Sequence, residues 1–194
     1  MIRFNFSLIF LAICIFVNGQ IITSIPTLPQ EKEETTIIFD AKLGNGALAG
    51  FSGDIYAHTG VITSNSSNGT DWQHEIAGWS QNTDKAKMTA LGNDKYQLVL
   101  SPSIREFYDV VAGEEIFKLA FVFRNADGTL VGKTETNQDI FYEVFQAGLA
   151  VSVSMPQQQP YFVNPSSTFS LHIASNDASG VTINIDGSLV YTET

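Results

Sequence analysis

Residues 87–100 read Lys87-Met88-Thr89-Ala90-Leu91-Gly92-Asn93-Asp94-Lys95-Tyr96-Gln97-Leu98-Val99-Leu100, two short strand-like runs on either side of Gly92-Asn93-Asp94. Glycine, asparagine and aspartate accept the backbone conformations that tight hairpins demand, so the stretch predicts an antiparallel pair. The same pattern extends in both directions. Downstream, the run 116–124 stops at Asn125-Ala126-Asp127-Gly128, a second hairpin signal, and further runs follow at 139–145 and 149–153. Upstream lie runs at 72–77 and 54–58, and the β-branched Thr35-Thr36-Ile37-Ile38-Phe39, bounded by Asp40 and Gly44-Asn45-Gly46. Short strands at regular spacing, punctuated by turns, predict an all-β sandwich. One helical turn is expected at 103–108, where Ser103 offers a start and Ile104, Phe107 and Tyr108 share one face, plugging an edge or end of the sandwich.

Outside this unit the text changes. Arg3, the apolar run 8–17 and Asn18-Gly19 read as a signal peptide covering residues 1–19, cut before Gln20. The run is about half the ~20 residues needed to span a bilayer, so export is expected rather than anchoring. Residues 20–34, with Pro26, Pro29 and Glu31-Lys32-Glu33-Glu34, read as a linker; ordered structure is expected from 35 to 154. A second linker (155–164) carries Met155-Pro156-Gln157-Gln158-Gln159-Pro160, and 165–194 reads as part of a second domain with strands at 168–174, 181–185 and 188–191. That last piece is below the size at which a domain usually folds alone, so the chain reads as the head of a longer polypeptide.

Composition narrows the function. The net charge is −10, which disfavours nucleic acid and anionic membranes as partners. Cys14, the only cysteine, lies inside the signal peptide, leaving no disulfide and no thiolate site in the mature chain. His58, His74 and His172 lack the spacing of a metal site, and no cofactor is expected. Asn125-Ala126-Asp127-Gly128 lacks the further oxygens of a calcium loop. The glycines of 44–50 follow a strand without an amphipathic helix behind them, so they read as a loop. Gly50-Phe51-Ser52-Gly53 misses the nucleophile-elbow spacing by one residue, and no two carboxylates are marked out as acid and base. No catalytic site is expected within these residues. Asn65-Ser66-Ser67 and Asn68-Gly69-Thr70 match the N-glycosylation acceptor pattern and mark an exposed loop.

Aromatic residues carry the positive signal. Tyr56 and His58, two apart on one strand, project from the same face; Trp72 and Trp79 flank the next run. Flat rings edged by Asp71, Gln73, Lys85 or Lys87 suit a sugar, whose C–H face stacks on an aromatic plane while its hydroxyls bond to the rim. The alternative is that Tyr56 and one tryptophan belong to the core.

The order Asp54-Ile55-Tyr56-Ala57-His58-Thr59-Gly60, Asp71-Trp72, Trp79, Lys87-Met88, Tyr96-Gln97-Leu98 and 120–128 resembles the N-terminal immunoglobulin-like module of secreted bacterial α-amylases. It is similar to starch-binding modules of carbohydrate-binding module family 26, over roughly residues 35–153. The resemblance implies an immunoglobulin-like β-sandwich, followed by the start of a second, incomplete one. It also implies binding of α-glucan polysaccharide or oligosaccharide, and covalent continuity with a downstream catalytic domain. Carried over by position, Tyr56, His58, Trp72 and Trp79 become stacking or rim residues and Lys87 a polar contact, with Trp79 and Met88 equally placeable in a core. Where starch-binding members usually place paired tyrosines on the first strand, this chain has Ile37-Ile38-Phe39. Two other readings share the fold: a structural spacer with all aromatics buried, and part of a surface adhesin or polysaccharide-uptake protein.

Overall fold

The hairpin at the centre of the sequence forms as its residues demand. In a computed structural model of the chain, which describes residues 19–79, 81–148, 150–155, 172–176, 178–185 and 187–193, strands Thr89–Gly92 (β4) and Lys95–Leu100 (β5) pair antiparallel. Asn93 and Asp94 both take positive φ (53° and 62°), the conformation of a primed hairpin turn. On β5, Tyr96, Leu98 and Leu100 are buried while Lys95 and Val99 are exposed, so one face of the strand belongs to a core.

That face is shared. Thr35–Asp40 (β2) pairs with β5 and buries Thr35, Ile37 and Phe39; Ile22–Ile25 (β1) adds an outer strand, giving the sheet β1-β2-β5-β4. The opposing sheet pairs Ile55–Thr63 (β3) with Ile116–Asn125 (β6), whose far edge is taken by Val131–Gly132 (β7) and then Ile140–Glu143 (β8). If β7 and β8 are taken as two halves of one interrupted strand, this order is that of a seven-stranded immunoglobulin-type sandwich. Phe39 of the first sheet stacks on Phe123 of the second with centroids 3.9 Å apart, and Phe123 on Phe121 at 5.6 Å. The short helix Ile104–Phe107 (α1) is capped by Ser103, whose Oγ accepts from the Glu106 amide at 3.1 Å, and it buries Ile104, Phe107 and Tyr108.

Three details differ from the sequence reading. Residues 20–34 are not a bare linker: Ile22 and Ser24 alternate inward as β1, and Leu28 is buried, a two-residue period that the surrounding prolines and charges obscure. Residues 72–77 form no strand. Only Gln73 bridges to Val61, and His74 takes φ 52°, which a strand cannot accommodate. Ala150–Met155 (β9) pairs with His172–Asn176 (β10), so it joins the C-terminal strands rather than closing the first sandwich. Val181–Ile185 (β11) and Ser188–Glu193 (β12) then form a separate antiparallel pair. The signal-peptide reading of residues 1–18 and the linker at 156–164 lie outside the described residues.

Candidate functional site

Strand alternation gives the β3–β6 pair two unlike faces. Ile55, Ala57, Thr59 and Val61 point to the core, as do Leu119, Phe121 and Phe123. Tyr56, His58 and Gly60 face outward, opposite Arg124, Val122 and Ala120 in register. Such a face would meet water, but residues 71–79 cross over it. Gln73 exchanges backbone hydrogen bonds with Val61 at 2.7 and 2.9 Å, and the Ile76 amide donates to the Thr59 carbonyl at 3.0 Å. Gly60 makes this approach possible, because a Cβ there would lie 2.8 Å from the Gln73 carbonyl oxygen.

Two buried polar clusters pin the crossing segment. Near its start, the Glu114 carboxylate accepts from Thr63 Oγ1 and lies 3.1 Å from His74 Nε2. The Thr63 hydrogen bond holds the Glu114 carboxyl below its usual range, with His74 adding to the effect against the cost of burial. Near its end, Arg124, 2% exposed, donates to the carbonyls of Gln81, Asn125 and Ala126 and to Asn82 Oδ1. Its guanidinium also lies over the rings of Tyr56 (5.5 Å) and Trp79 (5.9 Å).

Between the clusters the aromatics converge. The His58 ring stacks on Trp72 with centroids 5.4 Å apart and interplanar angle 24°, and meets Trp79 edge-on at 5.1 Å. These three rings, with Val122 at the base, line a cleft of about 390 Å³. Its polar wall is Thr70, Asp71, Glu75, Lys133 and Asp139. Glu75 Oε2 lies 3.5 Å from His58 Nε2, and Lys133 Nζ bonds Asp139 Oδ1 at 2.9 Å. Burial lowers the pKa of His58 from its ordinary 6.5, Glu75 opposes this and Arg124 reinforces it, so the imidazole is neutral at pH 7. Asp71 is held ionised by the Ser67 amide, 2.7 Å away. The result is a trough of ring faces and edges bordered by hydrogen-bond acceptors and one paired ammonium. Among the described residues, no group of three or more His, Cys, Asp or Glu is placed to hold a metal ion.

Of the residues singled out from sequence, His58, Trp72 and Trp79 come together, and Trp79 is 43% exposed, so it is no core residue. Tyr56 shares the outward face with His58 but lies buried beneath Arg124 and does not line the cleft. Lys87 is also set apart: its backbone bridges to Tyr56, and its Nζ is bound to Asp54 at 2.8 Å. Met88 is in the core. Glu75, Lys133, Asp139 and Arg124 were not legible as site residues. Arg124 shares the outward alternation of β6 with a second charge, Lys118, so its charge alone did not single it out. Residues 23–131, which run from within β1 to the first residue of β7 and carry all three cleft rings, match the family described as "Domain of unknown function (DUF8578)". Comparison with curated proteins found no match.

Proposed function

The chain belongs to the DUF8578 family, and we propose that this member is a non-catalytic α-glucan-binding module working outside the cell at the head of a secreted amylase-like enzyme. The observation that carries this reading is the cleft itself: Trp79 stands exposed beside the His58–Trp72 stack, with Asp71, Glu75 and Asp139 at the rim. A pyranose needs an aromatic plane for its C–H face and acceptors for its hydroxyls, and both are within one recess. Exposed aromatic anchors dominate binding energy; replacing one is expected to cost about 2 kcal/mol, roughly 30-fold in affinity. The exposure of Trp79 favours this reading over a spacer with every ring buried. The apolar run 8–17 supports export, and the resemblance to amylase modules supports a catalytic partner downstream.

Migration in a native gel containing soluble starch tests the proposal. The protein is expected to be retarded, Trp79→Ala and Trp72→Ala to be retarded less, and Lys87→Ala to behave as the parent. Unchanged migration of the parent protein on every glucan tried would overturn it.

A further inference from the structure

The row of rings does not stop at Trp72. On its far side the Phe141 ring of β8 meets Trp72 edge-on, so the centroids of Trp79, His58, Trp72 and Phe141 follow one another at steps of 5.1, 5.4 and 6.4 Å. Phe141 pairs with Ala120, which pairs in turn with Gly60, placing the ring on the same outward face as His58. Beyond it lies a second recess of about 330 Å³, where Phe141 and Tyr142 are joined by Thr134 and Gln20.

The two recesses share a wall. Lys133 and Asp139 line the first, while their chain neighbours Thr134 and Ile140 line the second. This wall is the loop that interrupts the last strand between β7 and β8, and it is held closely. The Lys133–Asp139 ion pair spans its base, the Thr134 amide donates to the Gln138 carbonyl at 3.0 Å, and the Gln138 amide donates to Thr134 Oγ1 at 2.8 Å. The Asn45 side chain ties it to the loop after β2 by donating to the Val131 carbonyl at 2.9 Å and to Asn137 Oδ1 at 3.1 Å. The chemistry changes across the wall: the first recess carries three carboxylates, the second no carboxylate side chain. Its lining joins Ile21, Ile22 and Ile140 and the rings of Phe141 and Tyr142 to the hydroxyl of Thr134, apolar faces with a polar edge of the kind a sugar unit needs.

Resting on the glycan reading above, we propose that the two recesses form one track and that Phe141 is a further sugar subsite, so the module selects a chain of several residues over a single unit. The four rings form a continuous row, and a ligand seated on Trp79 and His58 continues past Trp72 onto Phe141.

Calorimetric titration of the purified protein with maltooligosaccharides from disaccharide to heptasaccharide tests the track. Affinity is expected to rise with length; Phe141→Ala should leave the disaccharide unchanged and weaken the heptasaccharide about tenfold, as loss of one aromatic contact does. Phe141→Leu keeps the apolar volume, removes the plane and should give the same loss, which covers the case in which the alanine variant folds poorly. Trp79→Ala should weaken short and long chains alike. Binding that ignores length, or Phe141 variants that affect every length equally or none, would overturn the track while leaving the glycan reading in place. No binding of any glucan by the parent protein would overturn both.

Discussion

The guanidinium of Arg124 lies 5.9 Å from the centre of the Trp79 ring while its nitrogens donate to the backbone carbonyls of Gln81 and Ala126. One buried cation thus connects the sheet, the end of the crossing segment and the exposed ring of the cleft. The hydrogen bonds fix residues 81 and 82, and so fix where Trp79 stands.

Replacing Arg124 by Met keeps much of the volume but leaves those carbonyls unpaired. Stability is expected to fall by about 2–4 kcal/mol, since hydrogen bonds from a charged group are worth more than neutral ones. Urea unfolding measures that loss. Fluorescence in a Trp72→Phe background should show Trp79 emission shifting to the red and quenching by acrylamide rising, and starch retardation should diminish. An unchanged Trp79 spectrum would show that the ring is held by something else.

Gly60 is where the crossing segment touches the sheet, and a methyl group there would meet the Gln73 carbonyl oxygen at 2.8 Å. Gly60→Ala is therefore expected to lift residues 73–75 and cost roughly 1–3 kcal/mol, the range for overpacking. The Trp72 contact to His58 should loosen with it, weakening glucan binding. A variant as stable as the parent, with unaltered near-ultraviolet circular dichroism, would contradict this.

His58 links the cleft to pH. Its folded pKa is below the ordinary 6.5, so the unfolded chain binds the proton more readily. Stability is then fully present above pH 6.5 and is lost as pH falls through the depressed folded value. Thermal unfolding between pH 7.5 and 5 should show the decline, and His58→Gln should flatten that part of the curve. An identical slope in the variant would assign the decline to other groups.

Glu114 acts lower on the scale. The Thr63 hydrogen bond, and then His74, hold its carboxyl below the ordinary 4.5, so its contribution is present above pH 4.5 and disappears as pH drops through the folded value. Glu114→Gln is expected to lower stability at pH 7 by about 1–3 kcal/mol, as loss of a charge-assisted hydrogen bond does, and to leave a shallower acid limb. Denaturant midpoints at pH 7 and in the acid range check both. A variant with an acid limb as steep as the parent's would remove Glu114 from the account.

Much of this architecture was written in local pattern. The Gly92-Asn93-Asp94 turn, the alternation of β5 and the Ser103 start of α1 each follow from short-range sterics and hydrogen bonding, and each appears where expected. The strand β1 was hidden because four residues of alternation are too few to stand out among prolines. The segment 72–77 misled for the opposite reason: it has strand-like residues, but the close approach over Gly60 and the turn at His74 make it a cover instead.

The ring residues His58, Trp72 and Trp79 are legible in the chain because residue type alone limits what a tryptophan or histidine can offer a ligand. Their convergence is not, since 58, 72 and 79 meet only when the crossing segment is laid over the β3–β6 face and pinned by Arg124 and Glu114. The same closure exiles Lys87 to Asp54 and brings in Glu75, Lys133 and Asp139, which no local spacing connects. Periodicity along the backbone determines which strands exist and which way their side chains point. Long-range packing decides which of those side chains become neighbours, because sites are assembled by distances in space that a linear text does not carry.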